Sequence, residues 1–149
     1  MNPIELSHEL RKEAIKNGHS VQTIASGTSM FPFLRKGDIL TIDPATMETI
    51  KRGDIVVFEV GDKWIAHRVV RIQSFDGAIQ LTTRGDARIS SDPTINKTNY
   101  LGLISSIERD SKKISLRSFR KKLDSQVHLL GGIALSFALN FIARKIETK

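Results

Sequence analysis

From residue 21 to residue 116 the chain is cut into short segments rich in Val, Ile, Thr and Phe, separated by Gly, Asp and Ser turns. None of these segments is long enough to carry a helical stripe. Spacing of this kind predicts an antiparallel β-structure, either a small barrel or a folded sheet. Strands are expected over residues 21–25, 38–42, 54–60, 64–73, 78–83, 100–108 and 114–116, with a polar loop over 85–99. Turns are expected at Gly61-Asp62-Lys63, at Phe75-Asp76-Gly77 and at Asp110-Ser111-Lys112. No repeat, low-complexity stretch or Pro/Ser-rich linker interrupts the run. The 149 residues suit one domain.

Both ends read as helices. Ile4, Leu6, Leu10, Ala14 and Ile15 make an apolar stripe that Asn17-Gly18 stops. The C-terminal part holds 17 uncharged residues over 127–143, flanked by Arg120-Lys121-Lys122 and Arg144-Lys145. As a helix it would span about 25 Å, short of a hydrocarbon core of about 30 Å. His128, Gly132, Ser136 and Asn140 place a small and polar stripe along it. The expected organisation is an N-terminal amphipathic helix over 1–19, a mostly β body over 20–117 and a basic, apolar C-terminal helix over 118–149. Three placements of that last helix remain open: docked on the body, lying on a membrane surface, or anchored in the bilayer.

Charge divides along the same lines. Residues 1–107 hold 13 Lys and Arg against 12 Asp and Glu, while residues 108–149 hold 10 against 4. The excess therefore sits in the tail, which argues against a nucleic-acid-binding body and fits an anionic membrane face. The first residues are charged and lack a secretory apolar run. The expected location is the cytoplasm or the cytoplasmic face of the membrane. There is no cysteine, which excludes thiol nucleophiles, disulfides and Cys-ligated metal sites. His8, His19 and His128 have no ligand-like spacing with carboxylates, so no metal or other cofactor is expected.

Three signals bear on chemistry. Ser29 follows Gly27-Thr28 on a loop after a strand, where backbone N–H groups can converge on one spot. His67 lies in Trp64-Ile65-Ala66-His67-Arg68-Val69, on one strand face with Ile65 and Val69. Asp86 and Asp92 lie beyond, in Arg84-Gly85-Asp86 and Asp92-Pro93. Serine, histidine and aspartate supply a nucleophile, a base and an orienter. Spacings of 38 and 25 residues do not by themselves bring them together. Arg68 and Arg84 are expected to neutralise Asp86 and Asp92, and Trp64 to pack at a strand start. Phe31 and Phe33 either line a substrate pocket or cap the core.

The order of these motifs resembles signal peptidase I. It runs Ser29-Met30-Phe31-Pro32, Lys36-Gly37-Asp38, Arg52-Gly53-Asp54-Ile55-Val56-Val57-Phe58, His67-Arg68-Val69, then Arg84-Gly85-Asp86 with Asp92. A histidine at position 67 is similar to the archaeal and endoplasmic-reticulum branch, where the usual bacterial branch has lysine. The resemblance covers roughly residues 20–107. It implies a mostly antiparallel β fold and hydrolysis of an extended peptide through an acyl-enzyme. Ser29 then matches the nucleophile, His67 the base and Asp92 the orienting acid. Asp86 is a supporting aspartate that could trade places with Asp92. The oxyanion donors would be the N–H of Ser29 with a contribution from Thr28, because Gly27 stands where many signal peptidases carry a serine.

Ser26-Gly27-Thr28-Ser29-Met30 is also close to the LexA-type self-cleaving peptidases. Those pair serine with lysine, however, and no Ala-Gly or Cys-Gly bond precedes Ser29. The expectation is therefore a signal-peptidase-type serine endopeptidase acting on a preprotein or leader peptide. The alternative is a non-catalytic module of the same fold that holds extended peptides. An approach of Ser29 to His67 of about 3 Å would favour the enzyme.

Overall fold

The computed structural model describes residues 7–116. They form one antiparallel sheet of seven strands, with one helix at the N-terminal side. The helix α1, His8–Lys16, starts where the Ser7 side chain accepts the Leu10 N–H. It ends at Asn17, and Gly18 takes the left-handed conformation that a chain leaving a helix needs. The strands are β1 (Val21–Ile24), β2 (Ile39–Asp43), β3 (Ile55–Val60), β4 (Lys63–Phe75), β5 (Ala78–Arg84), β6 (Tyr100–Arg109) and β7 (Lys112–Ser115). Their order is β1-β2-β6-β3-β4-β5, and β7 pairs with β6.

The sheet does not close, so the folded-sheet form of the expectation holds and the barrel form does not. β1 has only β2 beside it. On β4, Lys63 to Arg68 pair with β3, whereas pairing to β5 begins at Arg68. Among the described residues, the stretch from Lys63 to His67 therefore has one strand edge without a neighbouring strand. Bulges at Leu101 and Ser105 of β6 and at Val70 of β4 bend the sheet around its core.

Turn chemistry sets the hairpins. Asp76 and Gly77 both have positive φ, as do Asp110 and Ser111, the geometry that matches strand twist in two-residue loops. Phe75 pairs with Ala78 and Val60 with Lys63, so Phe75 and Lys63 belong to strands rather than to the expected turns. The last strand begins at Lys112, two residues earlier than its apolar centre suggested.

Two apolar clusters form the core. One joins Ile15 of α1 to Val21, Leu40, Ile42, Ile55, Val57, Ile104 and Ile107, and is covered by Met30 and Leu34. The other holds Met47, Ile50, Val56, Phe58, Val69, Leu81 and Ile95. Each such side chain removed from water contributes about 1.5–3 kcal/mol before chain entropy is counted. Ile95 lies inside the expected 85–99 loop, yet it is buried and bridges to Leu81. That anchor ties down the far end of the loop carrying Asp86 and Asp92. The expected C-terminal helix over 118–149 lies outside the described residues. Among the described residues, no helix is long and apolar enough to cross a membrane.

Candidate active site

Between β1 and β2 the chain makes an excursion over residues 26–37 and returns to the same ladder. The Ala25 N–H donates to Asp38 O at 2.9 Å and the Gly37 N–H to Ala25 O at 2.8 Å, closing the excursion at its base. Ser29 sits at its crest. Met30 and Leu34 point down into the core, each 3% exposed, so the loop is packed from below. A second brace is ionic. The Asp38 carboxylate, 2% exposed, receives Arg109 Nε at 2.7 Å and Nη2 at 2.6 Å, together with the Arg35 N–H at 2.8 Å. Arg109 also donates to the Phe33 carbonyl at 3.1 Å. The loop is held at both feet and under its crown, an arrangement that preserves the aim of a side chain.

His67 lies on β4 facing this loop and is 3% exposed. The period-two pattern placed it on one face with Ile65 and Val69. The fold sets that face against Phe58, whose ring stands edge-on at 6.1 Å. His67 Nε2 is 2.8 Å from Ser29 Oγ. Its Nδ1 is 2.6 Å from Asp92 Oδ2. An acidic partner at Nδ1 keeps the proton there and leaves Nε2 free to accept one from the serine hydroxyl.

Asp92 is held in turn by Thr83. The Thr83 hydroxyl donates to Asp92 Oδ2 at 2.7 Å, and the Asp92 N–H donates to the Thr83 carbonyl at 2.8 Å. Thr83 is fully buried. Sequence reasoning passed over it. Its signal was a polar side chain two residues from Leu81, on the inward face of the same strand.

Asp86 does not reach His67. Both its oxygens face Arg68, with Nε at 2.8 Å and Nη2 at 2.7 Å. Of the two aspartates left open by the sequence, Asp92 therefore orients the histidine and Asp86 serves as a clamp. Arg68 donates further to Gly53 O at 3.0 Å and lies over the Phe33 ring at 4.8 Å. One guanidinium thus joins the 85–88 turn, the 51–54 turn and the serine loop. Arg84 is exposed and stands opposite Arg68 in the ladder.

The clamp presses Gly85 against the serine. The Ala87 N–H donates to Ser29 O at 2.9 Å. A Cβ at Gly85 would lie 2.6 Å from Ser29 O and 3.1 Å from both His67 Nε2 and Ser29 Cβ. Only glycine fits between the turn and the pair. The N–H groups of Thr28 and Ser29 have no backbone acceptor among the described residues. Phe31 stays half-exposed beside the serine, while Phe33 packs under Arg68 against the core. Among the described residues no group of three or more His, Asp or Glu is arranged to hold a metal.

The family model for Peptidase S24-like proteins matches residues 3–102. This chain belongs to the Peptidase S24-like family. The family covers signal peptidase I and the LexA-type peptidases, in agreement with the motif order. No curated protein matches the sequence. Membership makes this a peptidase-type fold of the serine class.

Proposed function

We propose that this S24-like protein is a serine endopeptidase of signal peptidase I type that hydrolyses one bond in an extended precursor, leader or signal peptide. The observation that carries the reading is the hydrogen-bonded chain Ser29–His67–Asp92, with 2.8 Å at its first link and 2.6 Å at its second. A retired peptide-binding module would have no use for a histidine buried between a serine and a carboxylate.

In this mechanism Ser29 Oγ attacks the scissile carbonyl carbon while His67 Nε2 takes its proton. The imidazolium is stabilised by Asp92, whose position Thr83 holds. The tetrahedral oxyanion is met by the N–H of Ser29, assisted by Thr28. Collapse breaks the C–N bond, and His67 gives its proton to the departing amine. Water, deprotonated by the same histidine, then attacks the Ser29 ester; the acyl C–O bond breaks, His67 returns the proton to Ser29 Oγ, and the second product leaves as a carboxylate. A positioned histidine contributes roughly 10²–10⁴-fold, and each oxyanion donor about 10²–10³-fold.

The substrate strand has a natural place. β1 ends five residues before Ser29 and β4 carries His67; among the described residues each has an edge without a neighbouring strand, to which an extended peptide can add. We also propose that the basic, apolar segment over 118–149 holds the enzyme at an anionic membrane surface. Flotation of the full chain with anionic but not neutral vesicles tests that part.

The test of activity is labelling by a fluorophosphonate probe and digestion of a diverse peptide mixture, both read by mass spectrometry beside Ser29→Ala. Labelling at Ser29 and cuts that vanish in the variant are expected. A folded parent that neither labels nor cuts, or cuts that survive Ser29→Ala, would overturn the proposal.

A further inference from the structure

Two links join the β1 side of the fold to β4, and among the described residues each of these strands has an edge without a neighbour. At one, Ser29 of the β1–β2 loop bonds His67 of β4. At the other, a single side chain from α1 spans the gap. Arg11 Nη1 donates to Thr23 Oγ1 of β1 at 3.4 Å, and its guanidinium lies 5.4 Å from the ring centre of Trp64 on β4. Trp64 precedes His67 on β4 by three positions, about 10 Å of extended chain, and its side chain lies on the other face of the strand. A peptide lying along β4 from the reacting bond therefore meets Arg11 at its third or fourth residue.

Among the described residues Arg11 has no counter-ion. The neighbouring Lys12 is paired with Glu59, and His8, tilted against the same Trp64 with ring centres 4.6 Å apart, has Glu9 at 4.0 Å. Arg11 has no carboxylate within ion-pair distance among the described residues, and its Nε is buried with no acceptor. Among the described residues the hydroxyl of Thr23 is the only hydrogen-bond partner of its side chain. A guanidinium backed by an indole face, short of acceptors and partly withdrawn from water, is built to bind a carboxylate.

We infer that Arg11 is a specificity-determining residue that reads an acidic side chain of the bound peptide, three or four residues from the bond at Ser29. Helix α1 is thereby part of the substrate site as well as a cover for the core. The inference rests on the peptidase reading for its location, but Trp64 lets it be tested separately. Trp64 is the protein's one tryptophan, so its fluorescence reports on occupancy beside Arg11.

The experiment uses ten-residue alanine-rich peptides carrying one Glu at successive positions, each with a Gln counterpart. Cleavage is read by mass spectrometry with the full chain, and binding by Trp64 fluorescence with full-chain Ser29→Ala. Glu at one position, three or four residues from the cut, should raise kcat/KM about tenfold or more over Gln, the scale of a charged hydrogen bond. Arg11→Gln should bring that ratio to about one, while Arg11→Lys, which keeps the charge, should retain part of it. Thermal melts of both variants identify any loss of fold. Cleavage without an Arg11-dependent preference for Glu would overturn the inference and leave the peptidase standing. No cleavage, with Arg11-dependent binding of Glu over Gln peptides, would overturn the peptidase reading and leave the inference standing. Neither cleavage nor such binding would sink both.

Discussion

Gly85→Ala adds one methyl group where the fold has no room. The new Cβ would lie 2.6 Å from the Ser29 carbonyl oxygen, a backbone atom already engaged by the Ala87 N–H. Carbon and oxygen rarely sit closer than about 3.3 Å, so the turn and the serine must separate by roughly 0.7 Å. No flexible side-chain end can absorb this, and Gly85 does not occupy the left-handed region, so the penalty comes from contact alone. Overpacking of this kind costs about 1–3 kcal/mol of stability. Misplacing a reacting group by about 1 Å costs about 10²-fold in rate, or roughly 2.7 kcal/mol of barrier. The assay is the rate of fluorophosphonate labelling at Ser29, with a thermal melt of the same samples. Labelling slowed about 10²-fold is expected in Gly85→Ala. Gly27→Ala is the contrast, because a Cβ there meets nothing within 4 Å. It should stay within about threefold of the parent, as an uncrowded surface change does. Parental labelling and an unshifted melt in Gly85→Ala would refute the close-approach argument.

Three further outcomes follow from the same geometry. Thr83→Val removes the hydroxyl that holds Asp92 Oδ2, and should slow Ser29 labelling about tenfold at a stability cost of about 1 kcal/mol, with Thr83→Ser restoring the rate; an equal rate in Val and Ser variants would show that the hydroxyl does not position the acid. Asp38→Asn weakens the buried pair with Arg109 under the serine loop and should cost about 3 kcal/mol in a denaturant titration, with slower labelling at full occupancy of the fold. The Lys12–Glu59 pair pins α1 to the β3–β4 hairpin and should give the melting temperature a pH signature. The hydrogen bond to Glu59 raises Lys12 above its ordinary 10.5, and the hydrogen bond from Lys12 lowers Glu59 below its ordinary 4.5. The Lys12 contribution is complete below 10.5 and is lost as pH rises through the raised value. The Glu59 contribution is complete above 4.5 and is lost as pH falls through the lowered value. The melting-temperature difference between parent and Lys12→Met should therefore be largest between these limits and shrink beyond both; a difference independent of pH would remove the pair from the account.

What the amino-acid order determined by itself was local. Alternation of Val, Ile and Thr against Gly and Asp turns is a property of neighbouring residues, so all seven strands were legible, with ends exact or off by one or two positions. Motif order was equally legible, and it brought Ser29, His67, Asp86 and Asp92 forward as candidates. Ends slipped where the residue type was ambiguous. Lys63 and Phe75 read as turn residues until pairing placed them in strands. Assignment of the two aspartates had to wait for three dimensions, because both lie on one loop at similar distances from His67 along the chain. The Ile95 anchor and the Thr83 hydroxyl bring Asp92 inward, while Arg68 holds Asp86 aside. Nothing local distinguishes Gly85 from a turn glycine, since its constraint is a carbonyl 56 residues earlier. The same is true of Arg109 and Asp38, 71 residues apart, and of Arg11 between two strand edges. Secondary structure is encoded by residues in sequence contact. The site is encoded by contacts between residues far apart in sequence, and only the folded chain decides which of those contacts form.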